Sequence, residues 1–162
     1  MDERTRRART DWDETAATYD RSAGLDRFLI GDSRRRLCRE ASGRTLEVAI
    51  GTGLNLGLYP PDVQLTGVDF SAGMLGMAAQ RAAAQEVEVN LIHADAQQMP
   101  FGDASFDVVS STCGVMFAPD HEAVASELDF PVLVLKNIRS QWFGQTDVIF
   151  ERLRRTLLAL GK

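Results

Sequence analysis

The nine residues Thr45-Leu-Glu-Val-Ala-Ile-Gly-Thr-Gly53 constrain this chain most. Leu46, Val48 and Ile50 alternate along a stretch that predicts a buried strand, and this strand runs directly into a turn cornered by two glycines. Gly51 and Gly53 permit a positive φ and leave no Cβ between the backbone and a ligand. Glu47 lies inside the apolar run, where a carboxylate costs free energy unless something satisfies it. A strand, a Gly-x-Gly turn and an early acid predict a nucleotide-like cofactor site at the carboxyl end of a parallel sheet.

The remaining sequence supplies the repeats such a sheet needs. Further strands are predicted over 64–70, 87–93, 106–111 and 131–136. Helices are predicted over 11–22 and 25–42, ahead of the first strand at 45–51. A short turn or helix at 54–59 is stopped by Pro60-Pro61. Ser71 is positioned as the N-cap of an alanine-rich helix over 72–85. Asp120 is positioned to cap a helix over 121–128. Ile149, Leu153, Leu157 and Leu160 share one face of a last helix over 146–160, with Gly161 beyond its end. Helices followed by alternating strands and helices predict an α/β fold, a Rossmann-like parallel sheet with right-handed crossovers. At 162 residues, 44% hydrophobic and 25% charged, the chain fits one domain spanning 1–162.

The formal net charge of −5 argues against a general nucleic-acid surface. Arg4, Arg6, Arg7 and Arg9, with Arg34, Arg35 and Arg36, read either as a solvated helix face or as contacts to an anionic substrate or lipid headgroup. The two cysteines, Cys38 and Cys113, form no CxxC pair and read as reduced thiols. His93 and His121 share no metal-ligand spacing, so no metal site is expected. No apolar run approaches the roughly 18 residues of a membrane span. The first twenty residues are charged throughout, and a cytoplasmic protein is expected.

Gly51-x-Gly53 alone is a weak signal. The dinucleotide fingerprint wants a third glycine where Leu56 stands, and the lysine of a P-loop is absent. Asp69 ends the second strand, where an acid can accept hydrogen bonds from both ribose hydroxyls, or can cap the next helix through Ser71. Asp95 ends the third strand, where it can accept from the exocyclic amine of an adenine or serve as an ordinary turn residue. Met74 can cover an adenine face or fill core.

Taken in order, LEVAIGTGLNL (46–56), GVDFSAGML (67–75), HADAQQMPFGDASFDVV (93–109) and APDHEAVASEL (118–128) give the chain its resemblance. With AATYDR (16–21), they resemble the class I S-adenosylmethionine-dependent methyltransferases. The subgroup is that of ubiquinone/menaquinone C-methyltransferases and phosphatidylethanolamine N-methyltransferase-like proteins, and the likeness covers 11–128. The resemblance implies S-adenosylmethionine as cofactor and a small-molecule or lipid-related acceptor. It implies that Gly51 and Gly53 hold the methionine moiety, with Glu47 near its ammonium group and Tyr19 near its carboxylate. Asp69 would bind the ribose, Met74 would flank the adenine, and Asp95 with Ala96 would read its edge. Ser111 and Thr112 would lie beside the methyl group. No general base is assigned; His93 reads as a structural histidine and Cys113 as a small buried residue.

After Leu128 the pattern departs from the resemblance. The Pro-Gly-Gly turn and the antiparallel strand pair that closes such sheets are missing, and 129–162 reads as a divergent tail. The expected sheet has five parallel strands in the order 3-2-1-4-5 with one edge left bare, read as a divergent ending, as the result of a truncation or frameshift, or as an edge that a second subunit covers. Two other functions share the strand-glycine-acid geometry: a cofactor-binding module with little catalysis, and a nicotinamide-dependent oxidoreductase.

Overall fold

A computed structural model describes residues 3–22, 33–112, 114–127 and 132–134. Helix α1 spans Glu3–Ser22 and α2 spans Ser33–Arg39. Strand β1 (Arg44–Val48) is followed by a 3-10 turn at Leu56–Leu58 and by β2 (Gln64–Asp69). Helix α3 (Ala72–Gln85) leads to β3 (Asn90–His93) and β4 (Val108–Ser111). A second 3-10 turn, Val115–Phe117, precedes α4 (His121–Glu127) and β5 (Val132–Val134).

The sheet runs β3-β2-β1-β4-β5 and every pairing is parallel, the predicted order. Its register follows from the period-2 alternation of side chains. Val48 lies opposite Val68, and Leu46 opposite Val109. These four residues join Val115, Val124 and Ala125 in one core cluster. The other cluster gathers Ile50, Leu56, Leu65 and Ala82. Glu47 lies opposite Gly67 on one side and Ser110 on the other.

Several boundaries differ from expectation for identifiable reasons. β1 stops at Val48 instead of 51, because Ala49 takes φ 57° and turns the chain out of the strand. β3 starts at Asn90 instead of 87. Glu86 adopts a left-handed φ of 54° at the end of α3, and the Val87 N–H donates to the Ala82 carbonyl at 3.0 Å to finish the helix. α1 begins eight residues before 11, so the arginines at 4–9 lie on a helix. The predicted 72–85 helix forms over those residues, and Ser71 Oγ caps it by accepting from the Met74 N–H at 3.1 Å. Asp120 Oδ1 accepts from the Ala123 N–H at 3.0 Å at the start of α4. Residues 25–32, Cys113, Leu128 and the 146–160 helix lie outside the described residues. So does nearly all of the tail, and with it the question of a closing strand pair.

Polar contacts fix α1 across the start of α3. Asp13 Oδ1 accepts from Ser71 Oγ at 2.6 Å and from the Gly73 N–H at 3.0 Å. A Cβ on Gly73 would stand 3.0 Å from the Asp13 carbonyl oxygen and 3.2 Å from Ala16 Cβ, so glycine permits this close crossing. Farther along, Asp20 accepts from Thr52 Oγ1 at 2.6 Å and forms an ion pair with Arg81. α1 is thereby held over the carboxyl ends of the strands.

Candidate cofactor and substrate site

A cavity of about 850 Å³, counting the solvent at its mouth, opens at the carboxyl ends of β1, β2, β3 and β4. Its place is the crevice where parallel sheets bind ligands. Seven of the ten residues singled out from the sequence line it: Tyr19, Gly51, Asp69, Met74, Asp95, Ala96 and Thr112. Glu47, Gly53 and Ser111 stand behind the wall.

Asp69 closes β2 and is buried. Its Oδ2 accepts from the Gly51 N–H at 2.9 Å, and its Oδ1 accepts from the Ser71 N–H at 3.0 Å. One carboxylate therefore ties the glycine turn to the cap of α3 and keeps lone pairs for a ligand. Burial raises its pKa, and the surrounding backbone N–H groups oppose that rise. Gly51 has φ +59°, and a Cβ built on it would meet nothing within 4 Å. The glycine thus leaves its backbone open to the cavity. Asp95 accepts from the Gln97 N–H at 2.9 Å, which holds the carboxylate at the cavity rim.

Gly53 does other work. Its Cβ would come within 2.7 Å of Leu56 Cδ1 and 3.3 Å of Ala78 Cα at φ +76°, so this glycine lets the turn pack on α3. Ser111 is fully buried, donates to the Val48 carbonyl at 2.9 Å and accepts from the Val115 N–H at 3.4 Å. It joins β4 to β1 and to the following 3-10 turn.

Glu47 is 1% exposed. Its two oxygens accept from the Asn55 amide and, at 2.9 Å, from the Tyr59 hydroxyl. Burial pushes its pKa up to about 7 against those two hydrogen bonds and the nearby Arg34. Tyr59 also meets Ser110 Oγ at 2.9 Å. The buried Cys38 thiol is pushed up to about 12 by desolvation and by Glu47, so it is an inert packing group. The partners that the apolar setting of Glu47 demanded are thus Asn55 and Tyr59.

Among the lining residues that sequence reasoning did not place in the site are Trp12, Arg34, Leu54 and Phe117. Trp12 meets Phe117 edge-on at 5.2 Å between ring centroids and Tyr19 at 5.9 Å, making an aromatic wall. Phe117 is the one large hydrophobic side chain exposed among the described residues. Only a single Trp in a charged helix signalled that wall. Arg34 was visible merely as one of a run of arginines. Its Nη1 donates to Asn55 Oδ1 at 3.2 Å and to Thr112 Oγ1 at 2.9 Å.

These features fit S-adenosylmethionine. A buried acid lines the cavity at the end of β2, an unobstructed glycine backbone lies beside it, and Met74 offers an apolar surface. The described residues include no cluster suited to a metal ion and no helix long and apolar enough to cross a membrane.

Comparison with known proteins agrees. The methyltransferase domain family matches residues 46–129. A phosphatidylethanolamine N-methyltransferase of Cereibacter sphaeroides is 38% identical over 125 residues, covering 72% of this chain and 61% of the relative. A demethylmenaquinone methyltransferase of Clavibacter sepedonicus is 34% identical over 110 residues, covering 64% of this chain and 44% of the relative. The chain therefore spans about half the length of these relatives. A crystal structure of a SAM-dependent methyltransferase from Thermotoga maritima shares the fold at a TM-score of 0.69 and 20% identity, covering 92% of this chain and 80% of that one. With ordered motifs, sheet topology and family match in agreement, this chain belongs to the class I S-adenosylmethionine-dependent methyltransferases.

Proposed function

We propose that the protein transfers a methyl group from S-adenosylmethionine to a small-molecule acceptor with an apolar or lipid-like body. The observation that carries this reading is Asp69, buried at the end of β2, lining the cavity and holding the Gly51 N–H. In this reading Asp69 accepts from the ribose hydroxyls and Met74 lies against the adenine. Asp95 and Ala96 meet the adenine edge. Gly51 lets the backbone approach the methionine portion, and Tyr19 closes over it from α1. Gly53, Ser111 and Glu47 contribute from behind the wall: Gly53 by packing the turn, Ser111 by fixing the end of β4, and Glu47 by holding Asn55.

The bound cofactor supplies a methyl group already activated on a sulfonium sulfur. The chain's own task is to hold the acceptor in line and exclude water, a positional effect that can lower a barrier by about 7–11 kcal/mol. Trp12 and Phe117 form an apolar wall suited to that exclusion. The acceptor class is supported by this wall and by the names of the two relatives, a phosphatidylethanolamine N-methyltransferase and a demethylmenaquinone methyltransferase.

Calorimetric titration with S-adenosylhomocysteine tests the cofactor part. Saturable binding is expected, and Asp69→Ala should weaken it by roughly 1–3 kcal/mol. Saturable binding of NAD alone would support the oxidoreductase reading instead. Transfer of label from methyl-labelled S-adenosylmethionine to a panel of amines, quinols and lipid headgroups tests the acceptor part. Tight cofactor binding without transfer to any of them would favour the non-catalytic module.

A further inference from the structure

We infer that Thr112 is an obligate hydrogen-bond donor into the cavity and, with Arg34, forms a subsite for an oxyanion. The inference rests on the cofactor reading above and adds a site to it.

The polarity follows from three side chains whose roles cannot be exchanged. Arg34 can only donate, so the Asn55 atom it meets at 3.2 Å is the amide oxygen. Glu47 Oε1 meets the opposite atom of the same amide, which is therefore the NH₂ group. Arg34 thus fixes the Asn55 orientation. Its Nδ2 also donates to Thr112 Oγ1 at 2.7 Å, and Arg34 Nη1 donates to the same oxygen at 2.9 Å. A hydroxyl has two lone pairs and one hydrogen. Both lone pairs of Thr112 are engaged, so its hydrogen must leave in the remaining direction. No described acceptor takes it. Thr112 is 7% exposed and lines the cavity, so the open side of its hydroxyl is the ligand space.

Charge supports the same conclusion. Among the described residues that line the cavity, Arg34 is the only cation, and the acids Asp69 and Asp95 belong to β2 and the end of β3. β1 separates β2 from β4, which puts about 10 Å between the acidic rim and the Thr112 corner. A donor hydroxyl beside a guanidinium selects a negatively charged oxygen. That oxygen has two possible sources: the carboxylate at the amino-acid end of the cofactor, or an enolate or phenolate oxygen on the acceptor.

Titration of wild type, Thr112→Val and Thr112→Ser tests the subsite with two nucleosides. S-adenosylhomocysteine carries the carboxylate and methylthioadenosine lacks it. If the cofactor supplies the oxyanion, Thr112→Val loses about tenfold or more in affinity for S-adenosylhomocysteine and nothing for methylthioadenosine, and Thr112→Ser restores the loss. If the acceptor supplies it, both nucleosides bind Thr112→Val as they bind wild type. In that case 4-nitrophenolate, followed by absorbance on protein saturated with S-adenosylhomocysteine, binds wild type and Thr112→Ser but not Thr112→Val. Equal losses for both nucleosides would overturn the subsite in favour of a merely structural threonine. So would unchanged binding of all three probes. Methylthioadenosine binding by Thr112→Val also reports that the variant is folded. Wild-type protein that binds neither nucleoside would refute the cofactor reading itself, and the subsite with it.

Discussion

Replacing Glu47 by glutamine should remove one specific component from the pH dependence of stability. Glu47 is buried in β1, and desolvation raises its pKa from 4.5 to about 7 despite the hydrogen bonds from Asn55 and Tyr59. That rise corresponds to about 3 kcal/mol. The sign is set by which state holds the proton more tightly. Below the unfolded value the acid is protonated in both states, and its contribution to stability is fully present. As pH rises from about 4.5 through about 7, the unfolded chain releases the proton while the folded protein keeps it. Stability falls across that window, and the loss is complete once the folded carboxyl has ionised.

Glutamine does not titrate, and the network can accept it. Its oxygen can keep the Asn55 amide as donor, and its NH₂ can donate to the Tyr59 oxygen, leaving the tyrosine hydrogen for Ser110. The hydroxyls of Tyr59 and Ser110 meet at 2.9 Å, where either can donate. Urea unfolding of both proteins across the pH range gives the test. The stability of wild type minus that of Glu47→Gln should fall by about 3 kcal/mol between about pH 4 and about pH 8. Taking the difference cancels groups common to both proteins, including Asp69, whose pKa is also raised by burial. A difference that stays constant within about 0.5 kcal/mol would refute the reasoning, because it would mean that Glu47 titrates alike in both states.

Two further perturbations separate roles that the sequence makes look alike. Gly51→Ala and Gly53→Ala both place a methyl group at positive φ, but only the second meets Leu56 and Ala78. Thermal unfolding should show a loss of about 1 kcal/mol for Gly51→Ala and roughly 2–3 kcal/mol for Gly53→Ala, whereas S-adenosylhomocysteine affinity should suffer more from the open-sided Gly51 change. Asp13→Ala removes the acceptor of Ser71 Oγ and the Gly73 N–H, and should cost about 1–2 kcal/mol in denaturant titration; an unchanged midpoint would show that α1 does not depend on this contact.

The parts of the fold that were legible in the sequence are those governed by period. Short apolar runs, some alternating and some continuous, placed all five strands, and the alanine-rich run with its Ser71 cap gave α3 over the predicted residues. The ends of strands were less legible, because single backbone conformations decide them. Ala49 at φ 57° ends β1, and Glu86 at φ 54° delays β3, yet neither residue type announces a left-handed turn.

The site divides along the same physical line. Its acidic rim is organised locally: Asp69 is held by Ser71 two residues on, and Asp95 by Gln97 two residues on. Short segments carry such contacts, so a strand followed by an acid was enough to find them. The opposite corner is organised by convergence. Arg34 comes from α2, Asn55 from the turn after β1 and Thr112 from the end of β4, and each is oriented only by the others. No spacing along the chain encodes that meeting; what the sequence did show was its cause, a carboxylate at position 47 in an apolar strand that had to be satisfied. Glu47 holds the Asn55 amide that Arg34 orients, the amide fixes the Thr112 lone pairs, and the threonine hydrogen is thereby turned toward the ligand. An acid that never lines the cavity can therefore help set the polarity of one of its walls, and substitutions at the two ends of the site should behave differently. Changes at Asp69 or Asp95 act where they are made, whereas a change at Glu47 or Asn55 is felt at Thr112.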